Sequence, residues 1–180
     1  VQGDPRSASW RVPLDILISA PANNGQAIAV NPWTNNLEQV QTLLLRANNA
    51  QLTSTPLSEP GEGWWLPRWS PDDSKLALTS IGGRIGTATG DGSARYDLGP
   101  GDTPAWSPDG SRIAYAGAGA GSDFTKRDIY IVDWQGQGPR LRLTNANEVE
   151  LFASPSWSPN GQQLAFVEID SGQVFIGDVP

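Results

Sequence analysis

The sequence predicts an all-β fold of the β-propeller class, made of four recognisable four-stranded blades, and three observations carry that prediction. A Trp-Ser-Pro turn recurs at Trp69-Ser70-Pro71-Asp72, Trp106-Ser107-Pro108-Asp109-Gly110 and Trp157-Ser158-Pro159-Asn160-Gly161. Each copy has a proline two residues before its tryptophan (Pro67, Pro104, Pro155) and a large-Ala-large triplet after the turn: Leu76-Ala77-Leu78, Ile113-Ala114-Tyr115 and Leu164-Ala165-Phe166. The 20 glycines and 15 prolines among 180 residues require frequent chain reversal and disfavour long helices.

A fourth, degenerate copy stands earlier, where Ser19-Ala20-Pro21 leads through Asn23-Asn24-Gly25 to Ile28-Ala29-Val30. Here the tryptophan is lost, and the turn reads as lengthened. The marker alanines Ala29, Ala77, Ala114 and Ala165 are 48, 37 and 51 residues apart. Those intervals bracket the roughly 40 to 45 residues of a propeller blade.

Each part of the copy has a physical reason. Pro-Asp-Gly turns the chain because proline presets φ, aspartate bonds its own backbone and glycine accepts a positive φ. On the strand after the turn, period-two alternation sends the two large residues to one face and the alanine to the other. The alanine is therefore expected against a close neighbouring sheet. The tryptophan before the turn removes roughly 150–250 Å² from water, at most about 4 to 6 kcal/mol, and is expected to pack blade on blade.

Further strands follow in order. Third strands are predicted at Thr42 to Arg46, Arg84 to Thr89, Asp128 to Asp133 and Val174 to Asp178. Turns at Ala47-Asn48-Asn49, Gly90-Asp91-Gly92 and Trp134-Gln135-Gly136 lead to fourth strands at Gln51 to Ser54, Tyr96 to Leu98 and Arg140 to Thr144. The blades so delimited cover about 14–60, 61–100, 101–150 and 151–180. Residues 1–13 form an N-terminal extended segment, in which Ser7 to Val12 could supply a ring-closing outer strand. Four blades lie at the lower limit of known rings, so the array is expected to belong to a larger ring or to self-associate.

Composition bounds the function. Twelve basic and nineteen acidic residues give a net charge of -7, with no basic cluster to gather phosphates, so nucleic acid is not expected as a partner. No apolar run reaches the roughly 20 residues of a membrane-spanning helix. Val1 is not an initiator, and a processed or excised chain is expected.

The absence of histidine and cysteine removes the Ser-His-Asp triad, His-based zinc sites and thiolate chemistry. The run Gly117 to Ser122 lacks the Lys-Ser/Thr of a phosphate-binding loop and reads as a plain loop. The acidic pairs Asp72-Asp73 and Glu148/Glu150 resemble a glycosidase pair only loosely, and turn chemistry already explains the first. Asp91, Asp97, Asp102 and Asp123 form no calcium-loop pattern. No catalytic residue, metal or cofactor is expected. Loop aromatics carry large contact area at low entropy cost, which makes Trp33 and Phe124 the candidate partner-binding residues, while Trp64, Trp65 and Trp134 are expected to pack.

The second full copy, through Pro104, Trp106-Ser107-Pro108-Asp109-Gly110, Ile113-Ala114-Tyr115, Asp128-Ile129-Tyr130, Asp133 and Leu143-Thr144, resembles the WD-like repeat of the TolB-like propeller family. The resemblance runs over about residues 14 to 179. It implies a six-bladed, extracytoplasmic, non-catalytic propeller that binds or scaffolds other proteins of the bacterial cell envelope, periplasm or surface. The alternatives left open are a propeller accessory to a prolyl-oligopeptidase-like serine hydrolase and a carbohydrate-binding propeller.

Overall fold

The computed structural model describes residues 16–32, 34–36, 39–48, 51–58, 61–118, 126–146 and 150–180. The N-terminal segment 1–13, with the expected strand Ser7 to Val12, lies outside the described residues.

Among the described residues fifteen antiparallel strands form four sheets. The first holds β1 (Ile16–Pro21), β2 (Ala27–Pro32), β3 (Leu43–Asn48) and β4 (Gln51–Pro56); the second, β5 (Trp64–Trp69), β6 (Lys75–Ser80), β7 (Arg84–Thr89) and β8 (Arg95–Pro100). The third holds β9 (Asp102–Trp106), β10 (Arg112–Gly117), β11 (Asp128–Asp133) and β12 (Leu141–Arg142). The fourth has three strands, β13 (Phe152–Trp157), β14 (Gln163–Glu168) and β15 (Val174–Asp178). Strands in each sheet follow chain order, as a propeller blade requires. Among the described residues no helix is long and apolar enough to cross a membrane.

Two expected details change. The first turn is not lengthened: Ala22 N–H donates to the Ala27 carbonyl, as Ser70 does to Lys75 and Ser107 to Arg112, so all four turns have one length and Pro21 stands in the tryptophan's place. Ala47 and Asn48, expected in a turn, pair with Leu52 and Gln51, because the antiparallel ladder of β3 and β4 runs on to that point.

The turns owe their shape to side chains as well as to glycine. Ser70 donates to the Asp72 carboxylate at 2.6 Å, and its oxygen accepts the Lys75 N–H at 3.0 Å. Ser107 with Asp109 repeats this at 2.6 and 2.9 Å, and Ser158 with Asn160 at 2.7 and 2.9 Å. The serine hydroxyl thus satisfies one backbone donor and orients the residue that satisfies the next.

The sheets stack face to face in sequence, and the triplet explains how. Ala29, Ala77 and Ala114 are fully buried. Ala29 shares a cluster with Leu76 of the next sheet, Ala77 with Ile113 and Tyr115, and Ala114 with Leu164 and Phe166. Small residues of one blade therefore receive the large residues of the following one, which lets the sheets interdigitate at interior packing density.

The tryptophans complete each junction. The indole N–H of Trp69 donates to the Ala20 carbonyl at 2.8 Å, that of Trp106 to Arg68 at 3.0 Å and that of Trp157 to Ala105 at 3.1 Å. All three acceptors lie opposite the marker alanine of the preceding sheet, Ala29, Ala77 and Ala114. The indole thus buries apolar area and satisfies its own donor across the same seam.

Replacement of Trp106 by alanine removes both contributions at one junction. It should cost about 3 kcal/mol, the low end for an aromatic truncation because the ring is only half-buried. The urea midpoint of Trp106→Ala against the parent measures it; an unchanged midpoint would remove the indole from the account of blade packing.

Candidate functional site

The first strand of every later sheet packs on the inner strands of the sheet before it, so β1, β5, β9 and β13 gather along one side of the array. On that side lies a groove of about 640 Å³, bordered by Trp65, Leu66, Arg68, Ile81, Thr103 and Ser154 among others. It crosses three sheets, and no single blade could form it.

Its floor is set by an irregularity that three blades share. Leu66, Thr103 and Ser154 have φ of 51, 50 and 53°, a left-handed conformation that non-glycine residues seldom adopt. Each immediately precedes the conserved-in-register proline of its copy, Pro67, Pro104 or Pro155, and each marks a shift in strand pairing. Trp65 pairs with Thr79 but Arg68 with Ala77, Ala153 with Val167 but Ser156 with Ala165. The proline lacks a ladder donor and the extra residue swings out, so the bulge tilts the strand toward the groove. Such backbone strain costs roughly 1 to 3 kcal/mol per residue, and it clusters at functional sites.

The groove presents two kinds of surface. Leu66 and Ile81 are 37% and 41% exposed, an apolar patch beside the prolines. Arg68 projects an exposed guanidinium that has no ion pair among the described residues, whereas Asp102 on the far wall is paired with Arg127. Thr103 Oγ1 accepts the Ser154 N–H at 3.3 Å and links two of the bulges. Repetition of X-Pro-x-Trp is the sequence signal for these residues, yet the left-handed φ before the proline has no counterpart in residue type.

Of the residues weighed from the sequence, Trp65 and Asp102 border the groove. Trp33 and Phe124 lie outside the described residues, as do Asp123, Glu148 and most of the Gly117 to Ser122 run. Trp134 packs edge-on against Tyr96 at 5.2 Å, with the Lys75 ammonium 5.3 Å from its ring centre. Trp65 keeps its indole N–H buried, with no hydrogen-bond partner among the described residues.

The described carboxylates weighed for chemistry are engaged in structure. Asp97 accepts a forked bond from Arg84 at 3.0 and 2.6 Å, and Asp91 holds the Ser93 N–H at 3.0 Å. Asp73, left-handed at φ 58°, reaches across to the first blade's turn and accepts from the Asn23 and Asn24 N–H groups, both at 2.8 Å. Hydrogen bonds from Ser70 and Ser74 hold the Asp72 carboxyl well below the usual range. The Ser107 hydroxyl, then the Ser111 N–H and hydroxyl, lower Asp109 to about 2. No group of three or more metal-ligating side chains occurs among the described residues.

No family model matches the sequence. A curated TolB of the Tol-Pal system, from Polaromonas sp., is 43% identical over 44 residues, 24% of this chain and 10% of that protein. The matched stretch therefore spans a tenth of that relative. The structure described as TolB from Agrobacterium tumefaciens superposes with a TM-score of 0.59 at 19% identity, covering 91% of this chain and 68% of that one. The tricorn protease superposes with a TM-score of 0.68 at 13% identity, covering 87% of this chain and 15% of that one. At these identities the two structures share the fold.

Two outcomes follow from the site and its turns. Asp109 has its carboxyl lowered from 3.8 to about 2 in the folded protein, so its contribution is complete above pH 3.8 and is lost as pH falls toward 2. Asp109→Asn, which copies Asn160 of the fourth blade, should flatten the fall in urea midpoint across that window; an equally steep fall would place acid sensitivity elsewhere. Ser154→Gly should relieve left-handed strain while keeping the backbone N–H that Thr103 accepts, and raise stability by about 1 kcal/mol, where glycine within a regular strand would lower it. Thermal unfolding of the two proteins reads the sign.

Proposed function

We propose that this TolB-like β-propeller array is a non-catalytic protein-binding module of the cell envelope, and that the bulged groove of its first strands receives an extended segment of a partner protein. The single observation that carries this is the groove itself. Three strained prolyl bulges, an exposed Leu66 and Ile81 and an Arg68 without an ion pair among the described residues converge on one open surface formed by three blades.

Each feature suits a peptide. Open apolar patches rimmed by a charged group are how protein interfaces anchor a few large side chains. The bulges interrupt strand pairing at the groove edge and turn backbone groups outward, where an extended chain can meet them. Arg68 supplies a forked donor for a carboxylate, either a side chain or a chain terminus. The groove carboxylate Asp102 is tied to Arg127, which leaves the positive group as the charged contact on offer. The envelope location rests on the TolB-named relative and on the family resemblance of the repeat.

Site-specific photo-crosslinking tests the reading. A photoreactive residue at Arg68 or Ile81 should capture a protein from an envelope extract, whereas the same group at Asp97 on the outer strand β8 should not. Capture from Asp97 alone would move the interface to the outer edge. Capture of an oligosaccharide in place of a protein would favour the carbohydrate-binding alternative, and a groove adduct with a serine hydrolase would favour the accessory-domain alternative.

A further inference from the structure

The junction between the first and second blades holds a cleft of about 360 Å³ toward the outer strands, bordered by Leu57, Glu62, Trp64, Gly86, Arg95 and Asp97 among others. It shares no bordering residue with the groove. We propose that this cleft binds a neutral saccharide, a pyranose ring lying against the Trp64 indole with its hydroxyls on the side chains of Arg95, Glu62 and Asp97.

One residue opens the cleft. The third-strand partner of the triplet's third residue is Leu43 in the first blade, Gly86 in the second, Tyr130 in the third and Phe175 in the fourth. Gly86 pairs with Leu78, which alternates onto the face of Leu76, the face packed on Ala29 and Leu44 of the first blade. Where the other blades place a large side chain, the second therefore leaves space against its neighbour. The backbone of Gly86 is not left-handed, so φ does not call for glycine here. Close approach does: a Cβ at Gly86 would stand 2.8 Å from two ring carbons of Trp64.

The indole is held ready by the first blade. The Trp64 carbonyl accepts the Thr42 hydroxyl at 2.9 Å and the Asn31 amide at 3.2 Å. Trp69, Trp106, Trp134 and Trp157 each pack on a core cluster, whereas the half-buried Trp64 joins none of those formed by the described residues. Its ring is spent on a wall of the cleft.

The polar groups select the class of ligand. Arg95 donates to the Glu62 carboxylate at 2.7 Å and to the Leu57 carbonyl at 3.1 Å, and Asp97 accepts the fork of Arg84. Each carboxylate is matched by a guanidinium, so the cleft has no net charge to offer an ionic ligand. It offers an aromatic wall beside fixed donors and acceptors. A pyranose matches that pattern, with an apolar C–H face and a rim of hydroxyls that both donate and accept. The ion pairs fix these groups before any ligand arrives, which lowers the ordering cost of binding. The volume lies within the roughly 300 to 1,000 Å³ of small-molecule sites.

A glycan array of neutral and acidic glycans, probed with the tagged 180-residue chain, tests this. The chain should bind neutral glycans, and calorimetric titration with the strongest of them should show the dissociation constant raised about tenfold or more in Trp64→Ala. Gly86→Ala, whose Cβ displaces the indole, and Arg95→Gln should weaken the same glycan, and they carry the test where Trp64→Ala fails to fold by far-ultraviolet circular dichroism. Arg68→Gln, in the groove, should leave the glycan affinity unchanged, which separates this cleft from the peptide site. An array without binding, or with acidic glycans alone, would overturn the inference. So would a glycan affinity that the cleft variants leave intact or that Arg68→Gln abolishes.

Discussion

Everything in this molecule depends on how closely one sheet can approach the next. A propeller blade buries its faces only against other blades, so the seam between them is the hydrophobic core. The alanine of the triplet sets the separation, the large neighbours of the next triplet fill the space it leaves, and the tryptophan indole spans the seam to a carbonyl of the preceding blade. A larger side chain at Ala77 or Ala114 would meet Ile113 or Leu164 directly, and interiors packed this densely respond to a single methylene.

The same constraint produces the groove. Because first strands crowd along one side, they cannot all keep regular pairing there. The chain yields at the residue before each proline, in a left-handed conformation stable only because the strand on either side is fixed. Strain, apolar exposure and the exposed guanidinium of Arg68 therefore arise together on the inner side. The outer strands carry polar pairs such as Arg84 with Asp97 and Arg95 with Glu62, which are exposed and worth little to stability.

The turns form a second layer of order at one end of each blade. Their serine-carboxylate pairs repeat with little change, and they also join blades: Asp73 bonds the first blade's turn, Lys75 lies over the rings of Trp106 and Trp134, and Arg112 lies 5.1 Å from the ring centre of Trp157. The basic residue that follows the second and the third turn is thus tied to the next tryptophan. The degenerate first copy lacks the tryptophan, the serine and the acid, whereas the fourth keeps tryptophan and serine with Asn160 in the acid's place.

The amino-acid sequence by itself determined the four blades of this chain, the place of most strands and the packing of the marker alanines against a neighbouring sheet. It did so because turn residues and period-two alternation are local, and a repeat states the same local rules several times. Arg84–Thr89, Asp128–Asp133 and Val174–Asp178 are strands with the predicted bounds. The fourth strand of the third blade shrank to Leu141–Arg142, where pairing with Tyr130 and Ile131 runs out. Tertiary structure alone decided the groove. Leu66, Thr103 and Ser154 share no side-chain chemistry, and their common φ comes from strands forced together in space.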